Sequence, residues 1–241
     1  MIETTANPST SSGPEDLIVL KDVHKVYQMG PMQVNALAGV SLTIREGGFW
    51  AIMGPSGSGK STLLNLLGCL DRPTRGRYVL NRQDVSELND DQLSEIRLQE
   101  IGFVFQSFNL IPQLTVQENI ELPLYYQGWA AARSAERANE LGAMVGLGDR
   151  LRHRPAELSG GQQQRVAIAR SMANDPAVLL ADEPTGNLDS VAGEQTMELF
   201  VQLNRAGKTI ILVTHESYIA AHASHQLHMR DGLIERIEGG A

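Results

Sequence analysis

Residues 49–67 have the sequence FWAIMGPSGSGKSTLLNLL, from which the fold class follows. It opens with a short apolar run, passes through a loop rich in glycine, and ends in a segment dense in leucine. A compact strand followed at once by a turn and a buried helix is typical of βαβ units and a parallel sheet. We predict a strand over Phe49–Met53 and a helix over Ser61–Leu70.

The loop has the residue types and spacing of a phosphate-binding loop, Gly54-Pro55-Ser56-Gly57-Ser58-Gly59-Lys60-Ser61. Glycines let backbone N–H groups turn toward phosphates without a clashing Cβ, and the following helix adds its free amides and dipole. Lys60 is expected to reach the terminal phosphates, and the Ser61 hydroxyl to ligate Mg²⁺. Thr62 is assigned to the same nucleotide-binding set. The alternative is an ordinary glycine-rich strand–helix turn.

Strands and helices alternate outward from this loop, which predicts an α/β fold around a mainly parallel sheet. Two β-type runs, Leu17–Tyr27 and Val34–Ile44, predict an N-terminal antiparallel β-subdomain. Helical spacing from about 107 to 173 predicts a helical subdomain inserted into a phosphate-loop core. The domain is expected to span residues 17–241, after a Ser-, Thr- and Pro-rich flexible tail at residues 1–16. The remaining predicted segments are Arg77–Leu80, Asp90–Glu100, Ile101–Phe105, Val116–Tyr126, Ala130–Val145, Gly161–Ala173, Ala177–Ala181, Ala192–Arg205, Thr209–Thr214 and a hairpin of Gln226–Arg230 with Leu233–Ile237.

A second chemical signal is the apolar strand that ends in two carboxylates, Asp182 and Glu183. In a phosphate-loop ATPase the first acid holds Mg²⁺, directly or through water. The second faces the γ-phosphate, where it orients or deprotonates the attacking water. Without the upstream loop, a solvated acidic turn would explain this pair equally well.

A third signal is a second helix start suited to an anion, Ser159-Gly160-Gly161-Gln162. Ser159 is a good N-cap, and the two glycines leave the amides open to close approach. One γ-phosphate could use both helix starts only if they face each other.

The stretch Leu158-Ser159-Gly160-Gly161-Gln162-Gln163-Gln164-Arg165 resembles the signature motif of ATP-binding-cassette (ABC) ATPases, and the resemblance runs from about Leu17 to Ile237. It implies that Tyr27 stacks on adenine and that Gln106 senses Mg²⁺ and the lytic water. It further implies that His215 contacts the γ-phosphate and that Asp189 lies in a loop that crosses between subunits. The small pair that usually precedes this Leu-Asp is here Gly186-Asn187.

The closer resemblance is to the lipoprotein-releasing and macrolide-exporter branch, carried by Ile52–Leu67, Gly102–Gln127 and Ala181–Ser190. It implies a C2 homodimer around two ATP and Mg²⁺, acting on a separate transmembrane permease and, through it, on a periplasmic adaptor. The expected location is the cytoplasmic face of the inner membrane. A cell-division ATPase and an importer ATPase remain alternatives.

Composition narrows the function classes further. The 241 residues include 20 Lys and Arg against 28 Asp and Glu, a net charge of −8, so no nucleic-acid partner is expected. The single cysteine excludes an internal disulfide, and no run is apolar enough for a membrane span. A non-transport ABC ATPase of DNA maintenance would need longer insertions. A monomeric phosphate-loop kinase would leave the start at Ser159 unexplained.

Overall fold

The computed structural model describes residues 15–239, which form two sheets and seven α-helices within that range. The tail predicted for residues 1–16 lies outside the described residues except for its last two, and the first strand begins at Asp16. In chain order the elements are β1 Asp16–Met29, β2 Met32–Arg45, β3 Phe49–Met53, α1 Lys60–Leu67, β4 Arg75–Leu80, β5 Gln83–Asp84, α2 Asp90–Glu100, β6 Ile101–Phe105, α3 Val116–Tyr126, α4 Ala131–Met144, α5 Gly160–Ser171, β7 Val178–Asp182, α6 Ser190–Arg205, β8 Thr209–Val213, α7 Ser217–Ala220, β9 His225–Arg230 and β10 Leu233–Gly239.

The smaller sheet is antiparallel, with strand order β2-β1-β4-β5. Strands β1 and β2 form one long hairpin, as predicted. The larger sheet has the order β10-β9-β3-β8-β7-β6, and only the edge strand β10 runs antiparallel to its neighbour. This is the α/β architecture expected from the sequence, with a mainly parallel sheet and an N-terminal antiparallel part.

Both faces of the larger sheet are buried, and alternate residues of each strand enter different clusters. On β3, Phe49, Ala51 and Met53 face a cluster shared with the helices between β6 and β7. Trp50 and Ile52 face a cluster shared with α1 and the antiparallel sheet. A strand covered on both sides needs no polar face, which is why β3 is apolar throughout.

Three α-helices, α3, α4 and α5, lie between β6 and β7 and pack on one face of the sheet. Helix α3 begins at a capping box, in which the Thr115 hydroxyl accepts from the Glu118 amide and the Glu118 carboxylate accepts from the Thr115 amide. Among residues 15–239, no helix has the length and apolarity to cross a bilayer.

Several predicted bounds differ from the structure by one to three residues. The helix after the phosphate loop ends at Leu67 instead of Leu70, because Gly68 caps it and Cys69 has a left-handed φ of 52°. The next strand, predicted over Arg77–Leu80, begins two residues earlier than expected, at Arg75.

Candidate functional site

The predicted catalytic residues lie together at the carboxyl ends of four neighbouring strands of the larger sheet. Strands β3, β8, β7 and β6 are adjacent and parallel, and the register pairs Ile52 with Val213, Val213 with Asp182, and Asp182 with Phe105. Their carboxyl ends therefore meet, which is where open α/β sheets bind ligands. The residues that follow or close these strands are Gly54, His215, Asp182, Glu183 and Gln106.

The phosphate loop needs glycine at two positions. A Cβ on Gly54 would lie 2.3 Å from the Met229 carbonyl oxygen, and one on Gly59 would lie 2.5 Å from that of Ala36. Gly59 also has a φ of 100° and is the N-cap of α1, and among residues 15–239 no side chain caps the first amides of this helix. The helix start is therefore open to an anion.

The Lys60 side chain folds back over its own loop. Its Nζ donates to the carbonyl oxygens of Gly54 at 2.8 Å and Pro55 at 2.9 Å. Pro55, Ser56 and Gly57 form the exposed top of the loop, and Ser61 is exposed as well. The Ser58 hydroxyl is instead buried and has no hydrogen-bond partner among the described residues.

The two carboxylates at the end of β7 lie in different surroundings. Burial raises the pKa of Asp182, and the charge of Glu183 raises it further, whereas Lys60 acts in the opposite direction. Glu183 has a left-handed φ of 46°, so the chain turns sharply after the strand. One Glu183 oxygen, Oε1, is 2.9 Å from His215 Nδ1, and the other, Oε2, is buried without a partner among residues 15–239.

His215 is exposed, and it is oriented by this contact. The hydrogen bond to Glu183 raises the pKa of His215, and the charge of the same carboxylate adds to the effect. The imidazolium form is therefore favoured to higher pH than in a free histidine. The pair combines a cation suited to a phosphate with a carboxylate suited to water.

Tyr27 lies beside the start of α1. Its hydroxyl donates to Asp71 Oδ2 at 2.7 Å, and the nearby Thr62 side chain acts against the rise of the Tyr27 pKa. Lys25 also binds Asp71 and lies 5.0 Å from the centre of the Tyr27 ring. Burial, followed by the bond to Asp71, raises the pKa of Tyr27. These contacts hold a half-exposed aromatic ring next to the phosphate loop.

The helix start at Ser159–Gln162 lies apart from the phosphate loop, beside the segment that precedes α6. Ser159 and Gln162 form a capping box, with the Ser159 hydroxyl accepting from the Gln162 amide at 3.3 Å. Gly160 borders Leu188 and Phe108, while Asp189 caps α6 by accepting from the amides of residues 191 and 192. No hydrogen bond within residues 15–239 joins this group to the phosphate loop.

The oxygen donors predicted for Mg²⁺ suit a hard cation. Ser61, Gln106 and Asp182 offer a hydroxyl, an amide and a carboxylate, which are ligands that Mg²⁺ accepts. Burial is the main cause of the raised pKa of Asp182, and the charge of Glu183 adds to it, so a divalent cation would offset the effect of that neighbouring charge.

The structure adds residues that the sequence reasoning missed. Gln164, on α5, is buried and donates to the Pro184 carbonyl oxygen at 2.8 Å, so the signature helix is tied to the turn after Glu183. Asn187 exchanges two hydrogen bonds with Gln106. The only available signal for Asn187 was its departure from the usual small pair, and none marked Gln164.

Comparison with known proteins places these features in one family. Residues 37–186, more than half of the chain, match the family model described as ABC transporter. An uncharacterized ABC transporter ATP-binding protein of Thermotoga maritima is 55% identical over 219 residues, covering 91% of this chain and 94% of the relative. The macrolide export ATP-binding/permease protein MacB of Wolinella succinogenes is 52% identical over 218 residues, but this chain spans only 34% of its length.

Comparison with solved structures indicates the same family. The ATP-binding cassette MJ0796, in a dimeric post-hydrolysis state bound to ADP and Pi, superposes with a TM-score of 0.84. It shares 48% sequence identity and covers 92% of this chain. A second dimeric structure of the same cassette is 49% identical.

Proposed function

Since the chain belongs to the ABC transporter family of ATP-binding proteins, we propose that two copies of it enclose two ATP molecules and drive a separate transmembrane permease. Membership of this family makes the chain a transport-associated ATP hydrolase.

The dimer is proposed because the site residues form two separate groups within one copy of the chain. The strand-end group holds the phosphate loop, Asp182, Glu183 and His215. The helix start at Ser159–Gln162 has no hydrogen bond to that group within residues 15–239, although Gln164, further along the same helix, bonds to the Pro184 carbonyl oxygen. Both helix starts suit the same γ-phosphate. A C2 dimer would bring the second start of one copy to the first start of the other, as the dimeric state of MJ0796 suggests.

Each residue of the strand-end group has a task in this scheme. The amides after Gly59 and the Lys60 ammonium bind phosphate, and Tyr27 packs against adenine. Glu183 orients the attacking water and accepts its proton, while protonated His215 faces the γ-phosphate. When bound, Mg²⁺ supplies charge neutralisation at the phosphates and would be held by Ser61, Asp182 and Gln106.

The γ-phosphate is then the link between two copies, and its loss on hydrolysis separates them. ATP shifts the population toward the closed dimer because only that state contacts it from both sides. This scheme predicts that Glu183→Gln lowers turnover by about 10²- to 10⁴-fold, the range typical of a general base. The same variant should accumulate as an ATP-bound dimer, measurable by size-exclusion chromatography with light scattering.

The control for this experiment is the double variant Glu183→Gln/Ser159→Arg. It keeps its own phosphate loop and should bind ATP as a monomer, but an arginine at the α5 start should block the partner's γ-phosphate. Equal dimer formation by both variants would refute a site formed by the phosphate loop of one copy and the Ser159–Gln162 helix start of the other. A turnover per chain that stays constant down to dilutions without detectable dimer would refute it as well.

A groove at the β6 edge of the large sheet supports the permease as partner. It has a volume of about 410 Å³ and lies between α2, α3 and α5, directly beside the segment after Gln106. Its lining combines apolar and basic side chains, among them Leu98, Phe103, Leu122, Tyr126, Arg97 and Arg170. We assign it to a cytoplasmic helix of the permease. In the MacB relatives the matching segment is about a third of an ATP-binding/permease chain, which supports such an occupant.

Two neighbouring tyrosines of α3 provide a matched test of the groove. Tyr126 lines it and is 68% exposed, whereas Tyr125 is 74% exposed and does not line it. Tyr126→Glu should reduce co-purification with the permease from detergent extracts, and Tyr125→Glu should reduce it less. Equal losses, or no loss, would exclude the groove as the docking site.

Within the family, we propose an exporter or mechanotransmission system of the macrolide-export and lipoprotein-releasing type, in which the permease also meets a periplasmic adaptor. The chain would then act at the cytoplasmic face of the inner membrane. The similarity to MacB favours this reading over a cell-division or importer ATPase, and the net charge of −8 disfavours a non-transport role on DNA. Identification of the membrane protein encoded beside this chain tests the branch directly.

A further inference from the structure

The loop between Glu183 and α6 contains a pair, Gly186-Asn187, that differs from the two small residues usual in the family. In the structure this pair lies against Gln106, which is 81 positions away in sequence. Gln106 Nε2 donates to Asn187 Oδ1 at 3.3 Å, and Asn187 Nδ2 donates to the Gln106 carbonyl oxygen at 3.0 Å. One asparagine thus holds both the side chain and the backbone of Gln106.

Gly186 supplies the space for this contact. A Cβ on Gly186 would lie 2.6 Å from Gln106 Nε2 and 3.0 Å from its Cδ. Gly186 itself has no left-handed backbone angle, so the requirement for glycine comes from the neighbouring amide rather than from φ. Any larger residue would displace the Gln106 amide.

The direction of the two hydrogen bonds matters chemically. Asn187 uses the Gln106 nitrogen as donor, and no hydrogen bond within residues 15–239 uses Gln106 Oε1. The amide oxygen is the atom that binds a cation or accepts from water. The pairing therefore selects one of the two amide orientations and keeps the ligand atom free.

We propose that Gly186 and Asn187 are positioning residues that hold the Gln106 amide with Oε1 available to Mg²⁺ and the lytic water. This inference rests on the proposed role of Gln106. It also gives a physical link within one chain between the segment that follows Gln106, beside the groove, and the Asp189 loop. A small pair such as Ser-Ala could not form both hydrogen bonds.

A double-mutant cycle tests the proposal, because a positioning residue acts only through its partner. Asn187→Ala should lower kcat by about fivefold, the effect of one or two exposed hydrogen bonds, with little change in KM for ATP. It should also raise the Mg²⁺ concentration needed for ATP-driven dimerisation in the Glu183→Gln background, a readout that requires no turnover. In a Gln106→Ala background, Asn187→Ala should have no further effect on either quantity.

Gly186→Ala provides a second, steric version of the test. The added methyl meets only the end of a flexible side chain, so the protein should fold with an unchanged melting temperature and a displaced Gln106 amide. Turnover should fall when Gln106 is present and should not fall further when Gln106 has been replaced by alanine.

Asn204→Ala is the matched control, since the Asn204 side chain also makes two hydrogen bonds, here to the backbone carbonyl oxygens of Gly47 and Lys208, away from the strand-end group. It should lower the melting temperature without changing the Mg²⁺ requirement. Equal effects of Asn187→Ala with and without Gln106, or no effect at all, would overturn the inference. If Gln106→Ala alone leaves turnover unchanged, the proposed role of Gln106 fails instead.

Discussion

The two helix starts that attract phosphate differ in how their first amides are satisfied. At α1 the N-cap is Gly59, and no side chain in the described part of the protein caps the helix start. At α5 the N-cap is Ser159, and a complete capping box with Gln162 satisfies amides from within the chain. The first start is open to a ligand in one chain, whereas the second is already stabilised without one.

This difference separates binding from assembly. An open start next to Lys60 can bind nucleotide in a single copy, because it contributes free amides and charge. A self-capped start contributes a hydroxyl and a dipole to a phosphate that another copy already holds. Substitutions at the first start should therefore change nucleotide affinity, and substitutions at the second should change dimerisation.

Of the two helix starts, the open one should show the greater change on substitution. Lys60→Ala removes the ammonium that donates to the loop carbonyls and reaches the phosphates. We expect ATP affinity, measured by calorimetry on the monomer, to fall about 10- to 100-fold, as for loss of a hydrogen bond to a charged group. Lys208→Ala is the control, because Lys208 pairs with Asp175 at the opposite end of β8. Unchanged affinity of Lys60→Ala would remove the distinction between the two starts.

A smaller effect is expected at the self-capped start. Ser159→Ala removes the cap and should lower the melting temperature by about 2–4 °C, as for a cap that contributes about 1 kcal/mol. ATP affinity of the monomer should be unchanged, while the ATP-driven dimer in the Glu183→Gln background should weaken.

Thr115→Ala provides the comparison for Ser159→Ala. Thr115 and Glu118 form the same kind of capping box at the start of α3. This variant should lose similar stability and keep full dimerisation. Equal loss of dimer in both variants would mean that the α5 start acts only through folding stability.

Local patterns predicted most of the fold. The bounds of α2, β6 and α3 were predicted to the residue, because apolar periodicity and turns are short-range signals. The end of α1 was misplaced because a run of apolar residues does not reveal the left-handed φ of Cys69. The α6 start was set two residues late, since the sequence reasoning did not recognise Asp189 as its cap.

The site was predictable in its parts but not in its contacts. Glycine spacing and strand-end acids point to chemistry through residue type alone. Contacts such as Glu183 with His215 or Gln106 with Asn187 join residues 32 and 81 positions apart. They depend on which strands are adjacent and on side-chain orientation, and neither follows from a local pattern.

The smallest predicted effect is a change of ATP affinity with pH, caused by His215 beside the open start. The bond to Glu183 raises the pKa of His215, so the folded protein keeps an imidazolium at pH values where a free histidine would lose its proton. Its attraction for the γ-phosphate is present below that raised pKa and is lost as the pH rises through it. ATP affinity should therefore weaken a few-fold as the pH rises from the acidic side of the ordinary histidine range through this raised pKa. Calorimetry should show a flat profile for His215→Gln. In Glu183→Gln the change should move to lower pH, because the carboxylate that raises the pKa is gone. Identical profiles in all three proteins would mean that His215 does not face the nucleotide.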